Sequence, residues 1–296
     1  MFTTLVAVIA ALVLGHIAPA PVAALRQFRW YRQALGWLGA QGGEGSFWHG
    51  RHGLWLALLP PVLLALLLQV LLAAPLLGLP GLLFGVVMLV YAWGPRDLDV
   101  DVEAVLGADD AASRRERLDR LAAGPGQRVE EGPAVVGTVF RSALRRWFAP
   151  LFWFLLLGPA AALLYRLCER AAVDAAGPLP ERNAAGARRL LQWLEWPVAQ
   201  AMAFSLALAG DFDRVFRAWR TQGGDRWPPH DGFLEGCARA AVSGELAEEA
   251  DDYRREGYPL VPGELPELRD AMSLVWRMLL LWLALLALLV IAGWVG

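Results

Sequence analysis

Acidic side chains alternate along one short segment, GPRDLDVDVEAVL, and carboxylates at this spacing are candidate ligands for a metal ion. The residues concerned are Asp97, Asp99 and Asp101. A calcium loop of the EF-hand type that starts at Asp97 requires glycine at position 102 and glutamate at position 108, whereas this chain has Val102 and Ala108. The alternative is the first turn of a helix, where acidic side chains stabilise the positive end of the helix dipole. The segment is therefore interpreted either as a helix start or as a weak metal site.

Arginine side chains provide a second candidate chemistry, the binding of an anion. In the segment GTVFRSALRRW the apolar residues fall on one helical stripe, while Arg141 and Arg145 lie largely off that stripe. This pattern predicts an amphipathic helix at the membrane interface. The two arginines either contact anionic lipid headgroups or form an anion site at the cytoplasmic face. Tyr165 and Arg166, at the far end of the next apolar segment, are either interface anchors or further parts of that ligand site.

Several catalytic chemistries lack the residues that they require. All 27 basic residues are arginine, so the chain has no lysine for a Walker A loop or a Schiff base. The two cysteines, Cys168 and Cys237, give neither a disulfide framework nor a zinc-ligand spacing. No Ser-His-Asp, Cys-His or HExxH arrangement is visible, so the sequence identifies no catalytic residue. We predict no cofactor and no nucleic-acid partner.

Long apolar segments must position these residues, and they indicate an integral membrane protein. Hydrophobic residues make up 57% of the chain, and a helix needs about 20 apolar residues to cross a bilayer. The 41 uncharged residues from 53 to 93 would form a single helix about 60 Å long, so we predict a hairpin of two helices that turns at residues 75–81. The predicted spans are 3–25, 53–74, 80–93, 147–165 and 278–296, with a possible further span at 196–210.

A glycine and a proline interrupt the apolar segment RRWFAPLFWFLLLGPAAALLYRL at Gly158 and Pro159. Proline at this depth frees a backbone carbonyl, which then needs another partner. We therefore expect a broken helix that faces protein or a cavity rather than lipid. The predicted fold is all-α: one polytopic membrane domain, residues 1–296, with four to five transmembrane helices and small helical cytoplasmic segments at 94–146 and 211–273.

The distribution of arginine predicts the orientation of the chain in the membrane. Residues 94–146 and 211–277 contain nine arginines each, whereas the chain before residue 26 and the turn at 75–81 contain none. Positive residues are enriched on the cytoplasmic side of bacterial membrane proteins. We therefore expect both long polar segments to be cytoplasmic and both termini to be periplasmic, in the bacterial inner membrane.

The segment that contains the Gly-Pro break resembles the signature of the AmpE family. These bacterial inner-membrane regulatory proteins are associated with β-lactamase induction and are grouped with the CobD/CbiB membrane proteins of cobalamin biosynthesis. The segments GPRDLDVDVEAVL and LEWPVAQAMAFSLALAGDFDRVFRAW agree with this resemblance, which covers essentially the whole chain. It implies a regulator that modulates β-lactamase induction linked to cell-wall recycling. Its partners would be the lipid bilayer and either a cell-wall recycling metabolite or another inner-membrane protein.

The related cobinamide-phosphate synthases supply the alternative, a membrane enzyme that acts on a phosphorylated or anionic metabolite. Before the segment like APLFWFLLLGP, those enzymes carry acidic and amide residues that the resemblance links to amide ligation. This chain has Arg141, Ser142, Arg145 and Arg146 at those positions, and the departure favours the non-catalytic regulator. In the alternative, the aspartates at 97, 99 and 101 hold a metal ion and Arg141 and Arg145 hold phosphate.

Overall fold

The chain folds entirely from helices in the part that the structure describes. The computed structural model describes residues 2–17, 26, 28–41, 52–73, 78–94, 97–122, 133–173, 179–226, 232–256 and 265–292. These ranges contain no β-strand, so the predicted all-α class is confirmed.

Thirteen α-helices lie in the described ranges. In chain order they are α1 (Phe2–Ile17), α2 (Arg29–Gln41), α3 (Gly53–Ala73), α4 (Leu79–Ala92), α5 (Leu98–Leu106), α6 (Ala111–Leu121), α7 (Pro133–Ala143), α8 (Ala149–Leu157), α9 (Pro159–Val173), α10 (Glu181–Ala209), α11 (Phe212–Thr221), α12 (Gly232–Glu256) and α13 (Pro266–Ile291). A π-helical turn, Leu144–Phe148, joins α7 to α8.

Two compact units make up the structure. The first comprises Met1–Arg96, Ala149–Leu194 and Ala287–Gly296, and the second comprises Asp97–Phe148 and Glu195–Leu286. The helices α10 and α13 contribute residues to both units.

Two helices, α3 and α13, are long and apolar enough to cross a membrane. Two shorter apolar helical stretches, Thr4–Leu14 and Leu79–Ala92, accompany them. On α3, Leu63, Leu64 and Leu67 leave more than half of their surface exposed. Such a run of exposed leucine is unusual for a protein surface in water and is expected for one in lipid. The apolar helices therefore agree with an all-α membrane protein, and the uncharged residues 53–93 form two helices, α3 and α4.

The predicted break at the Gly-Pro pair separates α8 from α9. Gly158 has a φ of +86°, in the left-handed region that favours glycine. The Gln69 amide of α3 contacts both sides of the break: its Nε2 donates to the Leu157 carbonyl over 3.3 Å, and its Oε1 accepts from the Ala160 amide over 3.1 Å. A side chain added at Gly158 would place its Cβ 2.6 Å from Gln69 Nε2. The interrupted backbone thus finds its polar partner within the protein, as a break in an apolar segment requires.

Candidate functional site

The helix α7 and the π-helical turn after it carry the arginines that the sequence singled out. One face of this segment is apolar and buried in the second unit, through Val136, Val139, Phe140 and Leu144. Arg141 and Arg145 are partly exposed, whereas Arg146 is buried like its apolar neighbours. The π-helical turn changes the direction of successive side chains between Leu144 and Phe148, and such turns occur often at functional sites. We call Arg141, Arg145 and Arg146 the arginine row.

Arg141 binds a carboxylate that comes from α12. Its Nε donates to Glu235 Oε1 over 2.8 Å, and its Nη2 donates to the same oxygen. The second oxygen, Oε2, lies 3.9 Å from Nη1 of Arg239, one helical turn further along α12. About a quarter of the Arg141 and Glu235 side chains is exposed, so solvent reaches this group of charges.

Arg145 binds a second carboxylate, which comes from α10. Its Nε donates to Glu195 Oε1 over 2.7 Å and its Nη2 donates to Oε2 over 3.3 Å, so both oxygens are engaged. Only 1% of the Glu195 side chain and 13% of the Arg145 side chain are exposed. This fork is geometrically well suited to a buried ion pair, because two parallel hydrogen bonds compensate the lost hydration.

Arg146 binds inside the second unit and joins three helices. Its Nη1 donates to Asp101 Oδ2 over 2.5 Å, and its Nη2 donates to the carbonyls of Arg120 and Leu121 over 3.3 and 3.2 Å. Ser142 Oγ also donates to the Leu121 carbonyl, over 2.7 Å. The last carbonyls of α6, which no amide of that helix can reach, are satisfied in this way.

The three aspartates of the candidate metal site have separate surroundings. Asp97 precedes the first residue of α5, and Asp99 and Asp101 lie in its first turn, where acidic residues favour the helix dipole. Asp99 accepts a hydrogen bond from Trp276 Nε1 over 2.9 Å, whereas Asp101 binds Arg146. Within the described ranges, no three histidine, cysteine or acidic side chains form a group that would hold a metal ion. The helix-start interpretation therefore describes this segment better than the metal interpretation.

Tyr165 and Arg166 lie on α9 in the first unit, and both side chains are fully buried. Arg166 Nε donates to the Ala92 carbonyl over 2.7 Å, and its Nη1 donates to Glu169 Oε2 over 3.2 Å. Arg26 donates to the Val90 and Gly94 carbonyls over 2.8 and 2.9 Å. Two guanidinium groups therefore satisfy the carbonyl end of α4 and offset its dipole. Burial distinguishes Tyr165 and Arg166 from interface anchors, which keep one end in water.

A cavity of about 450 Å³ lies beside the Gly-Pro break in the first unit. Small residues form much of its wall, among them Ala7, Gly81 and Gly85, while Thr4 and Gln69 provide polar groups. The break therefore borders a cavity as well as protein.

Comparison with known proteins decides the family. Residues 5–258 match the sequence model of the family described as CobD/Cbib protein. The chain belongs to the CobD/CbiB family. Cobalamin biosynthesis protein CobD of Stutzerimonas stutzeri (strain A1501) is 31% identical to this CobD/CbiB chain over 273 residues, which is 86% of each protein. Cobalamin biosynthesis protein CobD of Chromobacterium violaceum is 31% identical over 215 residues, 68% of each. No solved structure matches.

This membership corrects the functional prediction made from the sequence. The expected AmpE-type regulation of β-lactamase is wrong. Both relatives are named as cobalamin biosynthesis proteins, and the similarity covers 86% and 68% of their length. The resemblance to the CobD/CbiB group is confirmed. The family and the apolar helices together indicate a membrane location for this CobD/CbiB protein.

The sequence did not reveal the acidic partners of the arginine row. Glu195 and Glu235 lie 50 and 94 positions from the arginines that they bind, so no local spacing reports them. One signal was present: Glu195 stands alone in the apolar stretch LLQWLEWPVAQAM, and a lone acid there requires a partner. Residues 139–148 contain no acid, yet Asp101, Glu195 and Glu235 reach this segment from three other helices.

Proposed function

We propose that this protein is a membrane enzyme of cobalamin biosynthesis, of the cobinamide-phosphate synthase type, and that it acts on a phosphorylated or anionic metabolite. The observation that carries the proposal is the match to CobD of Stutzerimonas stutzeri over 86% of both chains. A match of this length includes the polar helices of the second unit as well as the apolar helices.

The arginine row supports the choice of an anionic substrate. Guanidinium groups bind phosphate through two parallel hydrogen bonds, and they remain charged at any physiological pH. Arg141 is the member of the row that solvent reaches best, since Arg146 is buried and Arg145 is nearly so. Arg141 is therefore the residue at which we expect substrate to bind.

Acidic residues lie beside the arginine row, although the segment that carries the row has none. The resemblance implies acidic and amide residues in the synthases before the segment like APLFWFLLLGP, whereas this chain carries arginines there. In the folded second unit, Glu235 and Glu195 supply carboxylates at the same helix. The absence of acids from residues 139–148 therefore does not by itself argue against an enzyme.

Complementation tests the proposal. A strain of Stutzerimonas stutzeri that lacks its own CobD should regain growth without added cobalamin when it expresses this chain. The Arg141→Gln variant should fail to restore growth while it accumulates in the membrane at the wild-type level, because Arg141 is only partly buried and its loss leaves the core intact.

The matched control is Arg254→Gln, which removes a well-exposed arginine from α12 and should complement fully. Failure of the wild-type chain to support growth, despite normal accumulation in the membrane, would contradict the proposed function.

A further inference from the structure

We propose that Glu235 is a built-in competitor at the anion site: its carboxylate occupies the place between Arg141 and Arg239 where the phosphate group of a substrate binds. The proposal rests on the proposed function for the class of ligand, a phosphorylated metabolite. It adds a second binding residue, Arg239, and a cause for selectivity.

Two guanidinium groups from different helices face this single carboxylate. Arg141 of α7 donates to Oε1 through Nε, over 2.8 Å, and through Nη2, while Arg239 of α12 lies 3.9 Å from Oε2. The three side chains together carry one net positive charge. A carboxylate held by two guanidiniums is a close chemical analogue of a phosphate oxygen pair held by the same groups.

The backbone of α7 leaves room for this carboxylate. Gly137 lies one turn before Arg141, and a Cβ at this glycine would come 3.2 Å from Cβ, Cγ and Oε2 of Glu235. Such a contact is tighter than ordinary packing, so a larger residue would push the carboxylate out of its place. Glu235 also lies in the first turn of α12, where the helix dipole favours negative charge. The place is thus shaped for an anionic group.

Exposure makes the Glu235 carboxylate displaceable. The side chains of Arg141, Glu235 and Arg239 are 25%, 28% and 41% exposed, and ion pairs that solvent reaches are weak. The neighbouring pair shows the contrast: Glu195 is 1% exposed and its two oxygens are forked by Arg145. Separating Glu195 from Arg145 would break a buried ion pair, which is costly. Exchange of anions is therefore expected at Glu235 and not at Glu195.

Competition by an internal carboxylate gives the site selectivity for phosphate. A ligand carboxylate offers the two guanidiniums the same charge and the same oxygens as Glu235, so it gains little by replacing it. A phosphate monoester carries up to two negative charges and three acceptor oxygens, so it gains from both arginines. Discrimination by an unfavourable alternative of this kind is a general route to specificity.

The test measures binding of inorganic phosphate and of acetate to the full-length protein in detergent micelles, by isothermal titration calorimetry. Removing the competitor by Glu235→Gln should tighten phosphate binding about twofold to fivefold, the equivalent of one solvent-reached ion pair. The same variant should gain measurable binding of acetate. The matched control is Asp251→Asn, which breaks the exposed pair with Arg254 on the same helix and should change neither affinity.

Two results would overturn the proposal. Equal phosphate affinity in Glu235→Gln and the wild type means that Glu235 does not compete. Unchanged phosphate affinity in Arg239→Gln, which keeps Glu235 and its bond to Arg141, means that Arg239 is no ligand; a several-fold loss is expected. Arg239→Gln decides the question if Glu235→Gln does not fold. The two proposals can fail separately. If phosphate binding follows these expectations but the chain does not complement, the result contradicts the proposed function and leaves the competition by Glu235 intact.

Discussion

Burial separates the three members of the arginine row more than their chemistry does. Each guanidinium binds a carboxylate from another helix, but the exposed fraction of the side chain falls from 25% in Arg141 to 13% in Arg145 and 6% in Arg146. An ion pair in water contributes little to stability, whereas a buried pair cannot lose one partner without leaving an uncompensated charge. The row therefore ranges from an exchangeable site to a structural one within two turns of helix.

The buried end of the row should dominate stability. Arg146→Met breaks the buried ion pair with Asp101 and should lower the free energy of unfolding by about 3–5 kcal/mol. The measurement is chemical unfolding in detergent micelles, followed by tryptophan fluorescence. The control Arg254→Met breaks an exposed pair with Asp251 and should cost less than about 1 kcal/mol. Similar losses in both variants would show that the Asp101–Arg146 pair has no special weight.

The Cys237 thiol should be inert in the folded protein. It is fully buried on α12, and burial raises its pKa to about 12 from the ordinary value of 9.0. A maleimide should therefore label Cys237 only after denaturation in SDS, which mass spectrometry can follow at neutral pH. Cys168 is buried as well and serves as an internal comparison. Fast labelling of Cys237 in the folded protein would contradict its placement in the core.

The same thiol predicts a pH dependence with a definite sign. The folded state keeps the proton of Cys237 at pH values where the unfolded chain has lost it, so the stability that comes from the neutral thiol is present below pH 9. This stability should be lost as the pH rises from 9 toward 12. Cys237→Ala should show a shallower decline over that window in the same unfolding assay. An identical decline in both proteins would assign it to other groups.

Local sequence signals locate the helices of this protein better than they locate the residues at which those helices begin. The segment SRRE predicts a capping box with Ser113 as the N-cap, so that the helix would begin at Arg114. In the structure α6 begins three residues earlier, at Ala111. Asp110 caps the helix by accepting from the Ser113 amide over 2.6 Å. These hydrogen bonds lower the pKa of Asp110 below its ordinary value of 3.8. The cap therefore stabilises the helix fully above pH 3.8, and this stabilisation is lost as the pH falls through the lowered pKa. Asp and Ser are both good caps, so sequence alone does not choose between them.

The break between α8 and α9 should be intolerant of any side chain. Gly158→Ala meets an unfavourable left-handed backbone, which costs about 1–2 kcal/mol, and displaces the Gln69 amide from the break. We expect a lower temperature of unfolding in detergent. The control is Gly36→Ala on α2, where a Cβ meets nothing within 4 Å and alanine favours the helix. Equal unfolding temperatures for the two variants would contradict the role assigned to Gly158.

The orientation of this protein in the membrane is a prediction from the distribution of arginine. A reporter enzyme that works only in the periplasm should be active when it is fused after Gly296, because both arginine-rich segments are expected in the cytoplasm. A fusion after Gln222, within residues 211–277, should show cytoplasmic activity and supplies the control. A cytoplasmic reporter signal after Gly296 would reverse the proposed orientation.

Apolar length predicted the class of fold, and the Gly158-Pro159 pair predicted the break, because both signals are local in the sequence. The arginine row was also visible, since Arg141 and Arg145 lie off an apolar stripe. The partners were not, because Glu235 and Glu195 come from helices that only the tertiary fold brings near. The predicted function was wrong for a related reason: the acids that accompany the arginines come from other helices and not from residues 139–148.

The Gln69 side chain and the backbone groups that it binds at the Gly-Pro break enter the membrane at different times during synthesis. A ribosome delivers Gln69 to the membrane well before Ala160, which follows 91 residues later. During that interval the amide stands on the apolar helix α3 without the backbone groups that it will bind, and an amide in hydrocarbon is costly. We therefore expect the hydrogen bonds of Gln69 to form only after the broken helix has been synthesised. Truncation before residue 157 should therefore leave α3 more susceptible to membrane quality-control proteolysis than it is in the full-length chain.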